Sequence, residues 1–192
     1  LITTIICLLL GYPAAYIMAM ADFKTPQVMA MLFILPMWIN FLLRTIATVE
    51  LFRMFGLPLG EGALLFGMVY DFLPFMIYPI YNTLQKMDTS LIEAAHDLGA
   101  KRSQVFMKVT LPLSVPGIYS GIVMVFMPTV STFAIAELLT HNKVTLFGSL
   151  IQRCFGEGGI AMWNYGAALS LIMLIIIGLT SFFGGDKEDI NR

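Results

Sequence analysis

Asp71 stands alone as a carboxylate inside a long apolar run, Phe66-Gly67-Met68-Val69-Tyr70-Asp71-Phe72-Leu73-Pro74. A lone charge at mid-bilayer depth costs on the order of 2.5 to 3.5 kcal/mol on insertion scales, so the residue is expected to face an aqueous cavity or a partner group. Arg44 is the nearest cation along the chain, about three residues inside the end of its own apolar stretch, whereas Asp71 lies about nine inside the same end of its stretch. At 1.5 Å per helical residue the offset is roughly 9 Å, and Arg44 is expected to reach the interface instead. Asp71 then either lines a path or makes a structural hydrogen bond to tyrosine or backbone. Covalent chemistry finds no such footing. Ser120 falls near one end of its apolar stretch, His141 beyond the opposite end and His96 in a connecting loop, so no nucleophile–base pair forms. Cys7 and Cys154 have neither C-x-x-C nor Cys/His ligand spacing, and neither a metal site nor a disulfide is expected. No G-x-x-x-x-G-K-[S/T] loop occurs, so any ATP hydrolysis must come from another chain.

The elements that position these groups are those of a bilayer. The 192 residues are 58% hydrophobic and only 12% charged, where a soluble domain carries about a quarter charged residues. Mean hydropathy is +0.84. With a net charge of -1 and scattered Lys and Arg there is no field to hold nucleic acid. Crossing about 30 Å of hydrocarbon takes roughly 20 apolar helical residues, and five stretches reach that length: 1–20, 27–47, 62–84, 116–138 and 165–183. The prediction is an all-α membrane protein of five transmembrane helices. Pro13, Pro36, Pro74, Pro79 and Pro128 fall inside these stretches and predict kinks whose freed carbonyls face protein or water. The 14 methionines read as apolar packing in a bundle that must shift.

Between the third and fourth stretches, residues 85–115 carry Lys86, Lys101, Arg102 and Lys108, which makes this loop cytoplasmic by the positive-inside rule. Lys24, Lys187 and Arg192 fall on the same side, the last two in a cytoplasmic tail, 184–192; Arg44, Arg53, Lys143 and Arg153 fall on the other. The chain opens on Leu1 without a charged region or a cleavage site, which argues against a signal peptide. Its first helix then starts outside, and a further helix is expected to precede it.

The loop itself, DTSLIEAAHDLGAKRSQVFMKVTLP over 88–112, predicts a helix, a sharp stop and a second short helix. Ser90 with Glu93 makes a capping-box pattern, and Gly99 stands where a left-handed cap belongs. Leu91, Ala94, Ala95 and Leu98 share one face at i, i+3, i+4 and i+7. Ser103 is placed to cap the second helix, and Pro112 and Pro116 to turn the chain back into the bilayer. His96 reads as a surface histidine.

Glu93-Ala94-Ala95, three residues, Gly99, nine residues and Val109-Thr110-Leu111-Pro112 resemble the EAA signature of ABC importer permeases, with Val109 where isoleucine is usual. The resemblance implies a MetI-like bundle over 1–183. It also implies a coupling role for Glu93, Ala94, Ala95, Gly99, Leu111 and Pro112, whose loop would dock on a partner ATPase. Glu93 would meet a basic residue there or cap its own helix. Leu73-Pro74-Phe75-Met76, Leu146-Phe147-Gly148-Ser149-Leu150-Ile151 and Trp163-Asn164-Tyr165-Gly166-Ala167-Ala168 are similar to spermidine/putrescine permeases, most of all the B-type subunit. Permeases for thiamine, ferric iron and phosphonates share the architecture, and hydropathy alone also admits a passive channel or a structural subunit.

Membership would bring a second permease subunit, two ATPase subunits that bind the ATP and magnesium, a periplasmic binding protein and a multi-pass place in the bacterial inner membrane. The chain itself would carry no cofactor. A polyamine path needs carboxylates for ammonium groups and aromatic faces for the methylenes. Asp71, Glu137, Tyr78 and Trp163 are the candidates, with Trp38, Tyr70 and Tyr81 as further aromatic faces. Glu137 stands where these permeases also carry an acid, either as a substrate gate or as an ordinary interfacial carboxylate; the aromatics equally fit an interfacial belt.

Overall fold

The computed structural model describes residues 1–20, 31, 33, 35–141, 143–156 and 159–185, with the backbone alone at 159–161 and 182–185. Among them every regular element is helical: α1 (Ile2–Met20), α2 (Phe41–Met54), α3 (Glu61–Gln85), α4 (Thr89–Asp97), α5 (Arg102–Val105), a π-helical turn (Phe106–Thr110), α6 (Leu111–Ser131), α7 (Ala134–Thr140), α8 (Phe147–Gly156) and α9 (Gly159–Gly185). Ile2–Met20, Glu61–Gln85, Arg102–Ser131 and Met162–Ser181 are long and apolar enough to cross a bilayer.

The central element is α3, which packs against α1, α6 and the short α7. Small residues let it be approached closely. A Cβ on Gly11 of α1 would lie 2.9 Å from Met76 Cγ, and one on Gly121 of α6 would lie 2.8 Å from Met76 Sδ. The fully buried Met76 therefore fills the crossing point from both sides, a use suited to its flexible thioether. Thr3 lies beside Met68 and Gly11 beside Met76, so α1 and α3 run parallel. Two parallel neighbours mean that the chain returns to its starting end between Met20 and Glu61. Gly117 meets Pro79 and Gly121 meets Met76, so α6 runs antiparallel to α3. Only 6% of the apolar window of α9 is buried, and that helix presents its sides outward.

Two expected stretches differ from the helices observed. Part of 27–47 lies outside the described residues; the rest is helical at 35–38 and interrupted at Ile39-Asn40. Asn40 Oδ1 accepts the Leu42 N–H at 2.8 Å and starts α2 as a new helix. The cap satisfies one of the N–H groups that the interruption leaves without a helical partner, and the apolar neighbours fit either arrangement. The stretch 116–138 likewise divides. The hydroxyl of Ser131 donates to the Met127 and Pro128 carbonyls, Thr132 is extended, and α7 begins at Ala134. Glu137 accordingly belongs to a separate short helix lodged on α2 and α3 rather than to the outer end of a continuous span.

Candidate functional site

The loop between α3 and α6 forms as two short helices with a rigid stop between them. Asp88 caps α4, its Oδ1 accepting the Ser90 N–H at 2.9 Å; the box expected from Ser90 and Glu93 does not form. Asp88 has the extended backbone of an N-cap, so the helix begins at Thr89 and Ser90 lies inside its first turn, where it is no longer at the capping position. Donation from Ser90 holds the Asp88 carboxyl below its ordinary 3.8. At the other end Gly99 adopts φ +78° as expected. Leu98 N–H reaches Ala94 O, Gly99 N–H reaches His96 O and Ala100 N–H reaches Ala95 O, at 3.1, 2.8 and 3.1 Å. This paired closure is the Schellman arrangement, and it needs a residue at ease in the left-handed region.

None of α4 is buried in its own chain. Leu98 is 89% exposed, Leu91 and Glu93 are also exposed, and a groove of about 310 Å³ runs beside them between Ala95, Gly99, Gln104, Lys108 and Val109. The second helix starts not at Ser103 but at Lys101, whose N–H donates to Gln104 Oε1 at 2.9 Å. From Arg102 to Ser131 the chain is then one helical rod of 30 residues. Pro112 does not turn it. Having no N–H, and with a ring that would strike the Lys108 carbonyl, Pro112 is accommodated by the wider π turn just before it, where Leu111 N–H bonds Phe106 O.

The rod is also fastened to α1. Phe106 meets Tyr12 and Tyr16 edge-on, with ring centroids 5.9 and 5.3 Å apart. Tyr12 and Ser114 share a hydrogen bond of 3.0 Å; because the Ser114 hydroxyl donates to Leu111 O at 2.8 Å, Tyr12 is the donor. Sequence reasoning passed over this aromatic clamp, since Tyr12, Tyr16 and Phe106 are far apart in the chain and each alone reads as packing.

In the membrane-depth part of the bundle Asp71 is 1% exposed and paired with Arg44, Nε to Oδ1 at 3.2 Å. This overturns the expectation that Arg44 reaches the interface. The offset assumed one continuous helix through residue 47, whereas α2 is a separate helix with Arg44 in its first turn, beside α3. The single Thr45 hydroxyl proton is shared between Asp71 Oδ2 at 3.2 Å and Phe41 O at 2.9 Å. The guanidinium lies 5.8 Å from the centre of the Tyr70 ring. It is loosely held: Nε and Nη1 lack an aligned hydrogen bond among the described residues, as does Asp71 Oδ1. The Nε–Oδ1 contact is therefore an ion pair without hydrogen-bond geometry.

The remaining candidates are not gathered around Asp71. Tyr78, two turns along α3, lines a cavity of about 470 Å³ with Asn82, Thr83, Lys86, Tyr119 and Ser120, whose charged member is a cation. Glu137 on α7 is half-buried and Trp163 near the start of α9 is 51% exposed. Of the other aromatic faces, Trp38 is exposed and Tyr81 is buried.

Comparison with known proteins agrees with this architecture. Residues 11–185 match the family model described as binding-protein-dependent transport system inner membrane component. The spermidine/putrescine transport system permease protein PotB of Escherichia coli K12 is 36% identical, with 93% of this chain and 70% of the relative covered. PotB of Haemophilus influenzae is also 36% identical, over 94% and 68%. The PotB homolog of Mycoplasma genitalium is 29% identical, over 94% and 67%. In structure the chain is similar to a chain of the inward-facing MetNI methionine ABC transporter, with a TM-score of 0.73 and 20% identity, covering 99% of this chain and 90% of that one. That likeness carries the fold, a MetI-like helical bundle. A rod ending in an exposed, rigidly capped helix, in a chain matched over 11–185, places this protein in the family of inner membrane components of binding-protein-dependent transport systems, the permeases of ABC importers.

Proposed function

We propose that the chain is one permease subunit of an ATP-driven importer of polyamines. It would work beside a second permease, two ATPase subunits that bind ATP and magnesium, and a periplasmic binding protein. The observation that carries the substrate class is 36% identity over 93% of the chain to permeases named for spermidine and putrescine. The motor is external, and α4 supports a place for it. Leu91 and Leu98 are apolar yet exposed, Ala94 and Ala95 leave room for close approach, and the groove beside them gives a partner side chain a seat.

The mechanism follows from stiffness. An ATPase closing on α4 moves a helix that the Gly99 cap holds at a fixed angle to α5. The rod from Arg102 carries the displacement into α6, which touches α3 at Gly117 and Gly121, and the Phe106 clamp carries it into α1. Packed helices respond by stepping between arrangements rather than by deforming continuously. The test is reconstitution of this permease with its partner permease, ATPase and binding protein in liposomes. Labelled spermidine should enter when ATP is supplied inside the coupled complex, and unlabelled putrescine should compete. Uptake of thiamine or ferric iron without any of spermidine would refute the substrate class while leaving the importer.

A further inference from the structure

The surroundings of Asp71 contain the groups that an alkylammonium ion requires, and they already hold a cation. Thr45 hydrogen-bonds one carboxylate oxygen, and the Tyr70 ring lies 5.8 Å from the guanidinium that faces the other. Arg44 completes the charge balance but not the hydrogen bonding. A buried guanidinium usually forks onto a carboxylate through two aligned donors. Here Nε approaches Oδ1 without alignment, Nη1 has no partner among the described residues, and the Arg44 side chain is only 6% exposed. The carboxylate is thus anchored and its cation is not.

We propose that Asp71, Tyr70 and Thr45 form a cation subsite on the transport path, and that Arg44 is its resident plug, exchanged for an ammonium group of the substrate. The inference rests on the polyamine reading above. An incoming ammonium brings three donors on a compact head and can satisfy Oδ1, which Arg44 leaves unbonded, while its methylenes lie along Tyr70. Exchange keeps one cation against the carboxylate throughout, so no uncompensated charge is buried at any stage. The Tyr70 ring beside the guanidinium is 44% exposed. Arg44 also sits in the first turn of α2, just after the break at Asn40, so a movement of that short helix withdraws it without disturbing α3.

A charge swap separates this role from a merely structural one. The double variant Arg44→Asp/Asp71→Arg keeps a buried pair but removes the carboxylate from α3. In the whole importer, reconstituted with its ATPases, second permease and binding protein, the swapped chain is expected to assemble at wild-type yield. Its uptake of labelled spermidine should fall at least about tenfold, the loss of one charge-assisted contact. Uptake at the wild-type rate would overturn the subsite and leave the polyamine reading standing. Absence of spermidine uptake by the wild-type importer would overturn both. If the swap fails to assemble, the neutral pair Arg44→Gln/Asp71→Asn is read in the same way; failure of both to assemble would assign the pair to folding alone and overturn the proposal.

Discussion

Replacing Gly99 with valine removes the stiffness of the loop without touching any surface. A Cβ at this position meets no atom within 4 Å, so the change creates no collision. Its whole cost is the backbone, which must hold φ +78° to keep the Leu98, Gly99 and Ala100 hydrogen bonds. For a residue with a Cβ that conformation costs roughly 1 to 2 kcal/mol, and a branched Cβ is worse placed. Because α4 buries no residue in its own chain, tertiary packing does not offset the loss. A change of about 1 to 2 kcal/mol multiplies the open population of the cap roughly 5- to 30-fold. Amide exchange at Leu98, Gly99 and Ala100 reads this directly and should speed up by that factor. In liposomes the number of ATP molecules hydrolysed per solute imported should rise. Gly99→Asn is the control, since asparagine tolerates the left-handed region, and it should retain most of the coupling. A valine variant with faster exchange but an unchanged coupling ratio would refute the claim that the capped angle transmits the stroke.

Phe106→Leu keeps an apolar side chain but removes two edge-on ring contacts, worth about 0.5 to 1.5 kcal/mol each. The purified importer should unfold at a lower temperature and couple less tightly; unchanged melting and coupling would show that α1 is not fastened through this ring. Asp88 provides a pH test. Its carboxyl is held below 3.8 by the Ser90 N–H, so the ionised cap is fully present above that value and is lost as pH falls through the lower, folded one. Exchange at Ser90, corrected for its intrinsic pH dependence, should accelerate only on acidification below 3.8, and Asp88→Asn should abolish that dependence while keeping the cap. Acceleration already at neutral pH in the wild type would contradict the assignment.

The loop was the most legible part of the chain because its instructions are local. Gly99 needed no knowledge of the fold to be placed at a left-handed cap, and the spacing from Glu93 to Pro112 identified the family that the match over 11–185 establishes. The capping residues were less legible: Asp88 rather than Ser90 caps α4, and Gln104 rather than Ser103 closes α5. The aromatic clamp was not legible, because Tyr12 and Phe106 meet only after α1 and the loop have both folded onto the bundle. Arg44 and Asp71 failed for a different reason. Hydropathy averages over about 20 residues and carried one span straight through Asn40, so two charges that the fold brings to 3.2 Å were placed roughly 9 Å apart along the membrane normal. The signal that corrects this was present as a single residue. An asparagine followed at once by Phe41-Leu42-Leu43-Arg44 has the form of an N-cap, and treating it as one starts a new helix with Arg44 in its first turn. That helix is free to lie beside α3, where a buried carboxylate requires a cation.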